Sequence, residues 1–182
     1  MKLSQGEYVA LEKVESTHST LSEIAQIYVH GDGLQSYLVA VVVPDPVQLS
    51  AVAAKVLGKK LSPTDLVTLS AACQEPAIVN YFLEILMKSS QEKGLKGYVA
   101  HTYFSFRADG LPTRFETIKR VHLSMKPFSI DTNTLTPTMK IRRKEAYDFH
   151  KAAIDALYSL GEPSKLWTSH EGYLLDYSDG FL

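Results

Sequence analysis

The sequence predicts an α+β fold, with a small mixed sheet, flanking helices and a short N-terminal hairpin. Apolar residues occupy both alternating sets of positions in Gln35–Val43, which is typical of a central strand covered on both faces. Helical periodicity recurs over residues 48–57, after Pro76 and from Lys144 onwards. Hydrophobic residues make up 45% of the 182 residues and charged residues 21%, as in a folded globular domain.

The first residues predict a hairpin followed by a short helix. Gly6 adopts a positive φ without steric cost, so a tight reversal is expected within residues 2–9. Leu11, Val14 and His18 then follow at helical spacing. We therefore expect a small N-terminal unit ahead of the sheet.

Two strands come next. Ile24–His30 and Gln35–Val43 flank Gly31-Asp32-Gly33, which is a strong hairpin signal. Pro44-Asp45-Pro46 ends the second strand, because proline lacks the backbone donor that a sheet needs. The sequence thus predicts an antiparallel pair.

The middle of the chain predicts three helices. The first covers Gln48–Leu57 and ends at Gly58, a favourable C-cap. Ser62-Pro63-Thr64-Asp65 predicts an N-cap, a proline at the first helical position and an acidic residue after it. Pro76 opens the longest of the three, which ends at Gly94.

The last elements are a strand over Ile118–Leu123 and a helix over Lys144–Leu160. The apolar stripe of this helix consists of Tyr147, Ile154, Leu157 and Tyr158. Residues 161–182 are polar and rich in glycine, and we expect a disordered tail there.

Composition excludes several classes of protein. The 19 Lys and Arg against 20 Asp and Glu give a net charge of −1, which argues against a polybasic nucleic-acid binder. The longest apolar run, Tyr37–Val43, is too short to span a bilayer, and we expect no secretory signal. Cys73 has no partner cysteine and suits a reducing compartment. The histidines lack metal-ligand spacing, so no metal site is predicted.

One segment stands out chemically. In residues 135–144, hydroxyls and a rigid proline precede four cations within five positions: Lys140, Arg142, Arg143 and Lys144. The segment is either a solvated turn before a helix or a loop that presents a lysine to an anion. Cations at a helix N-terminus oppose the helix dipole, which favours the second interpretation slightly.

Three blocks carry a resemblance to a known family: KLSQGEYVALEKVE, AQIYVHGDGLQSYLVAVVVPD and FSIDTNTLTPTMKIRRKEAYDFHKAAIDALYS. They resemble the C-terminal domain of long-chain fatty acyl-CoA synthetases, adenylate-forming enzymes, in a fungal peroxisomal version. The likeness runs over residues 2–160, and it implies that residues 1–160 are a lid domain. It also implies a two-step reaction, in which ATP and a fatty acid form an acyl-adenylate and coenzyme A then displaces AMP.

The resemblance implies that Lys140 is the lysine that enters the active site for adenylation. An ammonium between a carboxylate and the α-phosphate reduces their repulsion, and lysine provides a compact charge on a flexible stem. Many members of the superfamily have glycine just before this lysine, whereas this chain has Met139.

Gly6 and Glu7 match a turn near the hinge that, by resemblance, faces the active site during thioester formation. A plain hairpin turn is an equally good interpretation of Gly6. Arg142 and Arg143 are expected at most to contact a phosphate or the other domain.

The resemblance also implies a missing partner, the large N-terminal adenylation domain with its phosphate loop and fatty-acid tunnel. The full-length enzyme would use ATP, Mg²⁺ and coenzyme A on a long-chain fatty acid. The fragment alone is expected to bind none of these cofactors and to be inactive. No nucleic acid is expected, and peripheral membrane association of the full-length enzyme stays open. The alternative is a non-catalytic α+β module that binds an anionic ligand or partner.

Two further features depart from the family pattern. Residues 98–114 interrupt it, and deleting them joins Gly97 to Phe115 in the expected way; a retained intron is favoured over an evolved loop. Ser164-Lys165-Leu166 would be a peroxisomal address at a chain end, although residues follow it here. We therefore expect a peroxisomal or cytosolic protein.

Overall fold

The computed structural model describes residues 1–4, 6, 8–92 and 116–162. Within these residues the chain forms five helices and three strands. In chain order they are α1 Leu11–His18, β1 Ile24–His30, β2 Leu38–Pro44, α2 Pro46–Leu57, α3 Leu66–Ala72, α4 Pro76–Glu92, β3 Ile118–Leu123 and α5 Arg143–Ser159.

The three strands form one mixed sheet in the order β1-β2-β3. β2 pairs antiparallel with β1, with Tyr28 opposite Val41, and parallel with β3, where Val41 lies opposite His122. The α+β fold with a small mixed sheet is therefore confirmed, and β2 is the central strand. Residues 31–37 connect β1 to β2, so the predicted hairpin forms with a longer loop than its glycines suggest.

Alternate residues of β2 enter two separate hydrophobic cores. Leu38, Ala40 and Val42 face the core that α1 to α4 cover, which we call the four-helix face. Val39, Val41 and Val43 face the core under α5 and the preceding loop, the α5 face. Every residue of β2 is buried, because both sides of the strand are covered as the sequence predicts.

Helix α2 begins two residues earlier than expected. Its N-cap is Asp45, whose carboxylate accepts hydrogen bonds from the backbone N–H groups of Val47 and Gln48. Pro46 takes the first helical position, where its missing N–H is not needed. Gly58 is the predicted C-cap, with φ 65°.

The predicted start of α3 is wrong. Ser62 is not its N-cap; Asp65 caps the helix by accepting from the N–H groups of Val67 and Thr68. A carboxylate reaching both donors fixes the start, while Ser62 bonds to the Thr64 hydroxyl in the preceding turn.

The N-terminal residues form the expected short hairpin, with an antiparallel bridge between Lys2 and Tyr8. Leu3 and Val9 anchor it in the four-helix face. Helix α5 starts at Arg143 and has one non-helical residue, His150, with φ −112° and ψ 15°. In the part of the chain that the structure describes, no helix is long and apolar enough to cross a bilayer.

Three sequence-based expectations concern other residues. Gly94 and the predicted insertion at residues 98–114 lie outside the described residues. Residues 163–182 of the predicted tail lie outside them as well. These expectations, like the domain boundary at residue 160, remain predictions.

Candidate functional site

Lys140 lies in a tight hairpin, residues 134–142, which we call the lysine loop. An isolated antiparallel bridge joins Leu135 to Ile141. The Thr136 N–H donates to the Lys140 carbonyl at 2.8 Å, and the Lys140 N–H donates to Thr136 Oγ1 at 3.0 Å. Leu135 is 5% exposed and belongs to the α5 face, so the base of the loop is packed while its tip projects.

The tip of the lysine loop contains a backbone conformation that favours glycine. Met139 has φ 61°, in the left-handed region, and its N–H donates to the Thr136 carbonyl at 2.9 Å. For a residue other than glycine this region costs about 1–2 kcal/mol. A glycine before the lysine would meet the same requirement without strain. Met139 is 66% exposed, so packing contributes little at this position.

The Lys140 side chain is exposed. Its ammonium makes no hydrogen bond or ion pair with any other residue in the described part of the chain. A cation held on an ordered backbone, with no internal partner there, remains available to an external anion.

Arg142 forms hydrogen bonds with the first strand of the lysine loop and with the residue before it. Its N–H donates to the Thr134 carbonyl at 2.9 Å, and its Nη1 donates to Asn133 Oδ1 at 2.9 Å. Asn133 itself has φ 57°, a conformation that asparagine tolerates better than most residues. The guanidinium of Arg142 is therefore partly engaged next to Lys140, and its predicted contact with a phosphate or another domain stays a prediction.

The Arg143 side chain contacts α1 and β1. Its Nη2 lies 2.8 Å from Glu15 Oε2, and its Nη1 donates to the Val29 carbonyl at 3.2 Å. These contacts favour a structural role, and the predicted external contact of Arg143 is likewise untested.

Gly6 occupies the turn of the N-terminal hairpin with φ 89°, and its N–H donates to the Leu3 carbonyl at 2.9 Å. A Cβ at this position would meet only Lys2 Cε, at 3.9 Å. The positive φ, and not crowding within the described residues, is therefore what requires glycine. Glu7 lies outside the described residues.

The lysine loop and the Gly6 turn lie on opposite faces of the sheet. Leu3 and Val9 attach the Gly6 turn to the four-helix face, whereas Leu135 and Ile141 attach the lysine loop to the α5 face. The residues that anchor the two predicted sites therefore belong to different cores, one on each side of the sheet.

Glu15 is the residue near the site that sequence reasoning missed. It lies in α1, and its partner Arg143 is 128 positions away in the chain. Burial raises the pKa of the Glu15 carboxyl, while the Val29 N–H and the Arg143 guanidinium oppose this rise. No local pattern marks such a contact. Within the described ranges, no group of His, Cys, Asp and Glu could hold a metal ion.

No protein-family model matches the chain. Among curated proteins, it is 39% identical over 157 residues to long-chain-fatty-acid–CoA ligase 5 of Rattus norvegicus. It is 33% identical over 159 residues to the peroxisomal acyl-CoA ligase 891 of Penicillium roqueforti. These matches cover 86% and 87% of this chain, but only 20% of each relative. The chain thus spans about a fifth of the length of these relatives.

Solved structures agree in fold. The chain resembles the A domain of carboxylic acid reductase from Segniliparus rugosus, a structure in complex with AMP and a co-purified carboxylic acid. The TM-score is 0.62 at 27% identity, over 88% of this chain and 20% of that one. The chain is therefore homologous to a segment, about a fifth of the length, of long-chain acyl-CoA synthetases, and it shares its fold with part of the A domain of an adenylate-forming enzyme.

Proposed function

We propose that the chain is the C-terminal domain of a long-chain fatty acid–CoA ligase and that it supplies Lys140 to adenylation. The proposal depends on one observation above all. Lys140 is an exposed cation without a partner in the described part of the chain, at the end of a hairpin that its backbone hydrogen bonds keep in one shape. The names of the sequence relatives supply the substrate class, a long-chain fatty acid.

The first half-reaction joins two anions. A carboxylate oxygen of the fatty acid attacks the α-phosphorus of ATP, and the bond to pyrophosphate breaks, leaving acyl-adenylate. An ammonium placed between the carboxylate and the α-phosphate stabilises the charge of the transition state. In the second half-reaction the sulfur of coenzyme A attacks the acyl carbon, AMP leaves, and the thiol proton passes to solvent.

The lysine loop alone does not enclose a nucleotide. It offers one ammonium, that of Lys140, which has no partner among the described residues, and the nearby guanidinium of Arg142 is bonded to Asn133. Mg²⁺, where it accompanies ATP, would neutralise phosphate charge. We therefore assign ATP, Mg²⁺, coenzyme A and the acyl chain to sites completed by a large N-terminal domain, the proposed partner of this one.

The placement of the two predicted sites supports a domain that alternates between two orientations. The lysine loop and the Gly6 turn lie on opposite faces of the sheet. In this proposal the α5 face meets the large domain during adenylation, and the four-helix face carries the turn of Gly6 and Glu7 towards it during thioester formation. Rotation of a small domain about a hinge accomplishes this exchange.

Lys140→Ala tests the proposal in an active full-length ligase that carries this chain as its C-terminal domain. We expect adenylation, measured as ATP–pyrophosphate exchange with palmitate, to fall about 10²–10³-fold, since one key electrostatic contact is lost. Thioester formation from preformed palmitoyl-adenylate should stay within about twofold, because the other face acts in that step.

Lys144→Ala is the matched control, since Lys144 is an exposed lysine four residues further on, in the first turn of α5. It should leave both half-reactions nearly unchanged. The isolated chain should show no exchange activity. Full adenylation activity in Lys140→Ala would overturn the proposal and favour a solvated turn.

The peroxisomal or cytosolic location is also proposed. The Penicillium roqueforti relative is described as peroxisomal, and this chain contains Ser164-Lys165-Leu166 after its last helix. The tripeptide lies outside the described residues.

A further inference from the structure

The outer edge of β1 is closed by two side chains that are distant in sequence. Among the described residues only β2 pairs with β1, so β1 is an edge strand of the three-stranded sheet. The Val29 N–H donates to Glu15 Oε1 at 2.9 Å, and the Val29 carbonyl accepts from Arg143 Nη1 at 3.2 Å. Arg143 Nη2 and Glu15 Oε2 complete a ring at 2.8 Å. We call Glu15, Val29 and Arg143 the edge clasp.

Tyr28 makes two further contacts with Arg143. The guanidinium lies 5.9 Å from the centroid of the Tyr28 ring, within the range of a cation–π contact. The Tyr28 hydroxyl donates to the Arg143 carbonyl at 3.2 Å. Both the side chain and the backbone of Arg143 are therefore fixed to β1.

This fixed residue directly follows the lysine loop. Arg143 is the first residue of α5, and Lys140 precedes it by three positions. Between them, the Arg142 N–H is bonded to the Thr134 carbonyl. The second strand of the loop is therefore fixed, through Arg143, to residues that are distant in sequence. The hydrogen bonds described at the tip of the loop join residues of the loop to each other.

We infer that Arg143 and Glu15 are positioning residues for Lys140: the edge clasp fixes the end of the second strand of the lysine loop against β1, and so sets where the ammonium points. The inference rests on the proposed function. A merely stabilising ion pair is the competing explanation, and partly exposed pairs of this kind contribute little to stability. The Arg143 side chain is 35% exposed and that of Glu15 13%.

A double-mutant cycle in the active full-length ligase tests the inference. Arg143→Ala should slow adenylation about tenfold and leave thioester formation from palmitoyl-adenylate unchanged. In the Lys140→Ala background, Arg143→Ala should have no further effect on adenylation, because a positioning residue has nothing left to position. Arg143→Lys keeps the charge but loses the two-pronged geometry, and it should restore only part of the rate.

Arg120→Ala is the matched control. Arg120 also holds α5, but at the opposite end, where Nε donates to the Gly161 carbonyl and Nη2 to the Leu160 carbonyl. Its loss should leave adenylation within about twofold. Glu15→Gln keeps the shape of the side chain and covers the case in which Arg143→Ala does not fold. It should show the same selective loss, about threefold.

The outcomes separate the two proposals. If Lys140→Ala abolishes adenylation but Arg143→Ala and Glu15→Gln slow both half-reactions equally, the inference fails and the proposed function stands. The same conclusion follows if the double variant adenylates more slowly than Lys140→Ala alone. If Lys140→Ala changes nothing, the proposed function fails, and the inference fails with it.

Discussion

The two faces of the central strand are built from different kinds of residue. On the four-helix face, aliphatic residues of β2 meet the aliphatic and phenylalanine side chains of α1 to α4. On the α5 face, Val39, Val41 and Val43 meet tyrosine, phenylalanine and the irregular chain before α5. Two histidines, His122 and His150, lie next to each other there, with ring centroids 6.1 Å apart.

We relate this difference to two tasks, the stability of the fold and the presentation of Lys140 in the proposed function. Non-directional apolar burial is sufficient where whole helices cover a sheet. In the proposed function, a loop that presents one cation needs directional contacts, and the α5 face contains hydrogen bonds of this kind, such as those of Gln26, whose side chain bonds both the N–H and the carbonyl of Phe128. The α5 face also contains the neighbouring histidines His122 and His150, and the lysine loop attached to it has a left-handed backbone conformation at Met139.

The largest effect is expected on the four-helix face. Phe82 is fully buried in α4, and Phe82→Ala should lower the free energy of unfolding by about 3–5 kcal/mol, through lost transfer energy and the cavity left behind. Urea denaturation of the 182-residue chain measures this loss. The loss should be the same at pH 7.5 and pH 5.5, because it does not depend on a charge.

Phe149→Ala is the control for that substitution, since Phe149 is 42% exposed on α5. Its cost should be about 1–2 kcal/mol, because less apolar area is buried and the transfer energy alone is lost. Equal costs for both substitutions would show that the four-helix face does not dominate stability.

The second effect is a pH dependence that originates on the α5 face. His150 is 7% exposed, and its Nε2 has no hydrogen-bond partner among the described residues. Burial, followed by the neighbouring His122 and Lys126, lowers the pKa of His150 to about 4. The unfolded chain binds this proton first, near the ordinary histidine pKa of about 6.5. The proton binding of His150 therefore leaves the free energy of unfolding unchanged above about pH 6.5 and lowers it as the pH falls towards 4.

For this one histidine, the loss of free energy of unfolding between pH 7.5 and pH 5.5 should be about 1 kcal/mol. Burial also lowers the pKa of His122, which adds to the trend. His150→Leu should reduce the difference between the two pH values by about that amount in urea denaturation. Parallel curves for the original chain and the variant would exclude His150 as the source.

Much of the fold can be predicted from the sequence, because its signals are local. The pattern of β2 predicts a central strand with two apolar faces, and each face has its own core. Gly58 predicts a helix end, since few other residues adopt φ 65° at low cost. The start of α3 is missed because Ser62 and Asp65 are both good caps, and the local sequence does not decide between them.

The candidate site is predictable only in part. Lys140 stands out because cations cluster around it and because the family resemblance supports it. The role of Glu15 cannot be predicted in this way, since folding alone brings it to Arg143. The left-handed backbone of Met139 is likewise hidden, because methionine gives no signal for a positive φ.

The smallest expected effect tests that strain directly. Met139→Gly removes a cost of about 1–2 kcal/mol at φ 61°, while greater freedom of the unfolded chain returns about 0.5–1 kcal/mol. The variant should therefore be more stable by about 0.5 kcal/mol.

Thr138→Gly is the control for Met139→Gly. Thr138 has no positive φ, and its hydroxyl lies 3.0 Å from that of Thr136, so this variant should lose about 1 kcal/mol. Opposite signs in urea denaturation would confirm strain at Met139. Equal losses would mean that the lysine loop accommodates methionine without cost, and that a glycine before the lysine serves something other than backbone geometry.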